Sequence, residues 1–276
     1  MTNDGHPIDG VWIEAQPFVG ASAKTLRAAE AAAVRAGATG WVVDAGDWDA
    51  PLSTRWTELP VRVDLRADGS STEVARVVDL GADLVGVPFA GARAAELVRL
   101  AAARDAECVL TVQWADGPLA GAARALALES ESVVAVSLDR ADEEALDALR
   151  ADESLGAFVP GLQVASGYRR GAGAVDRDLG LLAPGGAARL LALCDSDVAA
   201  ALEVERRLQR FAETRLAPAA RRAEAAGVGR ASLLAAVGDW CPGLAVPGLD
   251  DAGIDPDELR AELAEACPEL VLGGDP

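Results

Sequence analysis

The sequence predicts an α/β chain folded as a (β/α)8 TIM barrel with a C-terminal helical extension. Two observations carry this. Short Val-rich runs recur after helix-like runs along the first two thirds of the chain, and the joints between them hold the residues that helix ends require. VWIEA (11–15) precedes a helix pattern from Ser22 to Arg35, and GWVVDA (40–45) follows. Then come VRVDL (61–65), a helix near 71–80, LVGVPF (84–89), a helix near 91–104, CVLTVQW (108–114), a helix near 118–128, VVAVSL (133–138) and a helix near 142–150. GAFVPGL (156–162) and GAVDRDL (173–179) supply a seventh and an eighth unit.

The apolar runs are continuous rather than alternating, as parallel strands covered on both faces require. RAGATG and LGADL place glycine just past a helix, where a left-handed residue ends it. DGSST (68–72) offers a hydroxyl N-cap, with Glu73 in the first turn. Strands alternating with helices imply right-handed crossovers and a parallel sheet, and eight units in this length suit a barrel. An open doubly wound sheet would want a Gly-rich phosphate loop after the first strand, and EAQPFVGAS has no G-x-G-x-x-G.

The character changes at Pro184, so the expected division is a barrel over 1–184 and a helical extension packed on it over 185–276. Residues 185–240 read as helical throughout, and the charged faces of 197–224 as solvated or as subunit contacts. CPGLAVPGLDDAGIDP (241–256) reads as a loop, after which Asp255 caps a last helix with Pro256 at its first position.

The formal net charge is −19, and Lys24 is the single lysine among 25 basic residues. That balance argues against nucleic acid, which needs clustered Lys and Arg, and against an anionic membrane surface. No stretch approaches the roughly 18 apolar residues of a membrane span. The N-terminus has no basic and apolar leader, so a cytoplasmic location is expected. Acidic excess with almost no lysine is the composition of a halophilic protein, since salt screens self-repulsion. GC-rich coding explains Arg over Lys but not the charge. The melting temperature is therefore expected to climb from dilute buffer to molar KCl in scanning calorimetry. A flat response would leave coding bias as the explanation.

Cys108, Cys194, Cys241 and Cys267 form no C-x-x-C pair and read as buried small hydrophobes. His6 is the only histidine and sits in a polar tail, so neither a Ser-His-Asp triad nor a multi-histidine metal site is indicated.

In order and spacing the chain resembles the dihydrodipicolinate synthase/N-acetylneuraminate lyase family. The first strand ends at Pro17-Phe18, AGATG precedes a strand, a pocket loop and an A-P-L-S stretch (Ala50 to Ser53), and DGSST leads to GADLVGVPF. GAGAVDRDLGLLAPGG resembles the family's last strand and its path to a proline, here Pro184. DSDVAAALEVERRL resembles the helix beyond. The resemblance implies a lyase scaffold, homo-oligomers and Schiff-base chemistry on 2-oxo acids. It also places Ser137 where the family carries its imine-forming lysine, Val112 at the tyrosine relay, Gly117 near the carboxylate-binding arginine, and Gly46 and Asp47 at two substrate-binding hydroxyls. A serine hydroxyl forms no imine, and an aspartate repels a carboxylate.

The strand ends of such a barrel face the site, and here they carry Glu14, Asp44, Asp47, Asp49, Asp64, Gln113, Asp116, Ser137, Asp139 and Arg177. Asp44, paired with Glu14 on the neighbouring strand, suits general acid/base work. Converging carboxylates would instead suit a divalent metal, although loops of so acidic a chain collect aspartates anyway. Trp48 and Trp114 either floor an apolar pocket or plug the mouth. Arg169, Arg170 and Arg177 either bind an anionic small molecule or pair with local acids. Three functions stay open: a ligand-binding or regulatory barrel without aldolase chemistry, a lyase on a small oxo or sugar acid using metal or carboxylates, and a structural subunit beside an active relative.

Overall fold

A computed structural model describes residues 8–49, 59–89, 92–112, 117–150, 155–241 and 244–271. Eight parallel strands close into a barrel in sequence order: β1 Gly10–Glu14, β2 Ala38–Asp44, β3 Val61–Asp64, β4 Leu84–Pro88, β5 Glu107–Val112, β6 Val133–Leu138, β7 Gly156–Pro160 and β8 Ala174–Asp176. The helices between them are α1 Ala23–Arg35, α2 Ser71–Asp79, α3 Ala92–Ala102, α4 Gly117–Leu128, α5 Glu143–Arg150 and the short α6 Val164–Tyr168. The local signals act as expected. Ser70 accepts from the Glu73 N–H at 3.2 Å, and Gly37 and Gly81 end their helices at φ +79° and +84°.

Period-two alternation splits each strand between two cores. Val11, Val43, Val63, Val85, Leu110 and Val159 join the helices in the outer core. Ile8, Trp12, Val42, Leu84, Val109, Ala135, Phe158 and Ala174 fill the barrel interior. Trp12 crosses that interior because the neighbouring strand carries Gly40, where a Cβ would come within 2.4 Å of the indole ring. Its N–H donates to the Ile8 carbonyl at 2.8 Å, and its ring meets Phe158 edge-on at 5.6 Å. This aromatic plug closes the lower barrel and leaves the strand C-termini for a site.

Beyond α7 (Asp178–Leu182), helices α8 Pro184–Ser196, α9 Val198–Phe211, α10 Ala217–Ala225, α11 Arg230–Gly238, α12 Pro256–Ala266 and α13 Pro268–Val271 follow, with a π-helical stretch Ala212–Leu216 between α9 and α10. One expectation for α9 fails. Glu205 is 3% exposed rather than solvated, and its carboxylate accepts from the Ala165 and Ser166 N–H groups at 2.7 and 3.0 Å. It thus caps the free amides at the start of α6 and ties the extension to the barrel. Asp255 accepts from the Asp257 N–H at 2.9 Å and caps α12 as expected. Among the described residues no helix is long and apolar enough to cross a membrane. The four cysteines are buried free thiols, and burial pushes Cys108 up to about 12.

Candidate active site at the barrel mouth

The floor of the mouth is built by β3, whose alternation turns Val61 and Val63 outward and Arg62 and Asp64 inward. Arg62 is fully buried. Its Nε donates to Asp64 Oδ1 at 2.8 Å, and Nη2 donates to Asp64 Oδ2 at 3.0 Å and to Asp176 Oδ2 at 2.8 Å. The guanidinium carbon lies 4.7 Å from the Phe158 ring centroid. Burial opposes its charge, but Asp64 and Asp176 outweigh burial and hold the guanidinium protonated. Ser137 Oγ donates to the same Asp176 oxygen at 3.2 Å. Gly86 leaves the space Asp64 occupies, since a Cβ there would sit 1.8 Å from Asp64 Oδ1. The result is a fixed, ion-paired base to the mouth.

Above it opens a cavity of about 550 Å3, into which Glu14, Asp44, Asp64, Asp139 and Arg177 face, with Gly229 and Arg230 contributed by the C-terminal extension. Glu14 ends β1, and its carboxyl is pushed up to about 7. Burial is the main cause; Arg177 pulls the other way, and Asp44 adds repulsion. Asp44, although exposed at the strand end, is raised as well, first by partial loss of water in the mouth and then by Asp64 and Asp47. Arg230 grips Asp178 in a fork, Nε to Oδ1 at 3.1 Å and Nη2 to Oδ2 at 2.7 Å. Arg177 follows β8 at φ +66° and ψ −128°, and its Nη2 approaches Asp64 Oδ2 no closer than 3.8 Å.

The structure thus gathers Glu14, Asp44, Asp64, Asp139 and Arg177 on one cavity and corrects several other expectations. Ser137 is 4% exposed and turned to Asp176 beneath the cavity rather than lining it. Asp47 lies in the turn after β2, where its N–H bonds the Asp44 carbonyl at 2.9 Å, and does not line the cavity. Trp48 neither floors nor plugs the mouth. It is 2% exposed within the outer core, and Arg76 on α2 donates to its carbonyl. Its size and apolarity favour the strand–helix interface over an acidic mouth. Val112 also belongs to the outer core, because alternation on β5 turns Thr111 inward beside Ser137.

Arg170 pairs with Glu143 and Asp147 on α5, as a local ion-pairing reading implies. Gly117 is the first residue of α4. Gln113, Trp114, Asp116, His6 and the Ala50 to Ser53 stretch lie outside the described residues. Lys24 stands exposed on α1 and does not line the cavity. Among the described residues no group of three or more His, Cys, Asp or Glu is gathered for a metal ion. Sequence reasoning missed Arg62 and Arg230. A lone arginine inside an apolar strand, two residues before an aspartate, was the signal available for Arg62.

No protein-family model matches the chain, and no curated protein matches it. Solved structures do. A dihydrodipicolinate synthase family protein from Coccidioides immitis superposes with a TM-score of 0.69 at 18% identity, over 97% of this chain and 98% of that one. N-acetylneuraminate lyase from Fusobacterium nucleatum gives 0.66 at 11% identity, over 95% and 99%. Dihydrodipicolinate synthase from Thermotoga maritima gives 0.62 at 17% identity, over 95% and 99%. The chain therefore has, across nearly its whole length, the fold of the dihydrodipicolinate synthase and N-acetylneuraminate lyase proteins.

Proposed function

We propose that the barrel is a lyase for a small hydroxy or sugar acid, working by carboxylate acid/base chemistry without an imine. The observation that carries this reading is Glu14, a carboxyl held protonated to about pH 7 on an open cavity that it shares with Asp44 and Asp64. Two carboxyls whose surroundings push them apart make an acid and a base. Asp64 is the base, its two oxygens oriented by hydrogen bonds from Arg62 Nε and Nη2. Glu14 is the acid.

In the reaction the substrate is a 2,3-dihydroxy acid, and Asp64 takes the proton from the hydroxyl-bearing carbon next to the carboxylate. The electron pair forms the carbon–carbon double bond, and the hydroxyl on the adjacent carbon leaves as water with the Glu14 proton. The enol product tautomerises to a 2-oxo acid. The structural-subunit reading expects Trp48 or Trp114 to fill the mouth; Trp48 does not, and Trp114 lies outside the described residues.

The test is a panel of three- to six-carbon 2,3-dihydroxy acids, read by semicarbazone absorbance of the 2-oxo product, with and without EDTA. Turnover that survives EDTA, is steady at pH 6 and falls above pH 7 is expected. Loss with EDTA would move the chemistry to a metal. Binding without turnover would support the ligand-binding reading. A stable adduct after pyruvate and borohydride would overturn the proposal.

A further inference from the structure

The three guanidinium groups described at the mouth are not equivalent. Arg62 and Arg230 are each committed to carboxylates through forked hydrogen bonds. Among the described residues Arg177 makes only a 3.8 Å ion pair with Asp64, beyond hydrogen-bond distance, and its side chain is 48% exposed on the cavity. Its backbone is the second oddity. At φ +66° and ψ −128° it occupies the region of the first central residue of a type II′ turn, where glycine is the residue without strain. An arginine costs stability at such a position and persists when its side chain has work there.

We propose that Arg177 is the specificity residue of the mouth, the group that takes the carboxylate of the substrate. The inference rests on the reading of the mouth as a small-acid site. A planar guanidinium with unspent donors matches a carboxylate in a two-bond fork. Its Nη2 lies 3.8 Å from Asp64 Oδ2 and it lines the same cavity as Glu14, so a carboxylate held there would bring the adjoining carbons to the two carboxyls. The competing role is a purely structural one, in which Arg177 only offsets the surrounding acids.

The experiment compares wild type with Arg177→Gly and Arg177→Lys by calorimetry, using gluconate, glycerate and pyruvate as probes and sorbitol as the neutral control. Wild type is expected to bind at least one of the acids and not sorbitol. Arg177→Gly is expected to raise the ligand-free melting temperature by about 2–6 °C, because relief of backbone strain outweighs the extra freedom of the unfolded chain. It should also lose acid binding by about tenfold or more. Arg177→Lys should keep the charge and part of the binding without the rise in melting temperature.

A fall in melting temperature in Arg177→Gly would assign the residue to charge neutralisation and overturn the proposal. So would undiminished acid binding in that variant, equal binding of sorbitol by wild type, or no binding of any of the three acids. Binding that depends on Arg177 without turnover of any hydroxy acid would sink only the acid/base chemistry. Turnover with Arg177-independent binding would sink only this assignment.

Discussion

Glu14→Gln is expected to stabilise the protein at pH 8 by about 2–3 kcal/mol and to change little at pH 4. The folded protein holds the Glu14 proton to about 7, while the unfolded chain releases it near the ordinary 4.5. Between those values the unfolded state loses a proton that the folded state keeps, so stability falls as pH rises through this window. Above about 7 the ionised carboxylate is a standing cost to the fold. Glutamine has the same shape and never ionises, so it removes that cost at high pH and leaves the low-pH comparison untouched. Urea unfolding of both proteins at each pH measures the difference, and parallel curves at all pH values would show that Glu14 has an ordinary carboxyl. The same variant is expected to lose turnover by a factor on the order of 10²–10⁴, the usual contribution of a positioned acid.

Arg62→Met is expected to cost about 3–5 kcal/mol, the penalty for breaking a buried ion pair from one side. Methionine approximates the volume but leaves Asp64 and Asp176 without their hydrogen-bonded cation, with only Arg177 3.8 Å from Asp64. Asp176 is 2% exposed, so water gives it little relief. Adding Asp64→Leu and Asp176→Leu to Arg62→Met should recover much of the loss, because an apolar replacement of the whole cluster needs no desolvation of charge. Chemical denaturation of the single and triple variants checks both statements. A single variant as stable as wild type would mean that water or relaxation already screens the pair.

Much of the barrel was legible because its signals are local. VVAVSL forms β6 over the residues that its composition suggested, and the glycines at 37 and 81 and the hydroxyl of Ser70 mark helix ends that a single turn of chain decides. Glu14 and Asp44 were legible for the same reason, each closing an apolar run. Pairings across the barrel were not. Arg62 meets Asp176 over a separation of 114 residues, and nothing near either residue announces the other. Trp48 was misplaced because a loop residue can turn toward the axis or toward the helices, and only the packing against the helical layer decides which. Glu205 belongs to a charged helix face by period, yet it is drawn inward by the free amides at the start of α6.

The closure of the barrel bears on how the protein breathes. β1 meets β8 only at Gly10–Ala174 and Val11–Val175, whereas β5 and β6 pair from Cys108–Val133 to Val112–Leu138. The β1–β8 seam joins the first strand to the last, and a ring opens where its fastening is shortest. Glu14 stands on one lip of that seam, and Asp176 and Arg177 stand on the other. Amide exchange should therefore be fastest along this line. A molecule that touches both lips would act as a rivet, slowing exchange in two stretches of chain that lie more than half the sequence apart.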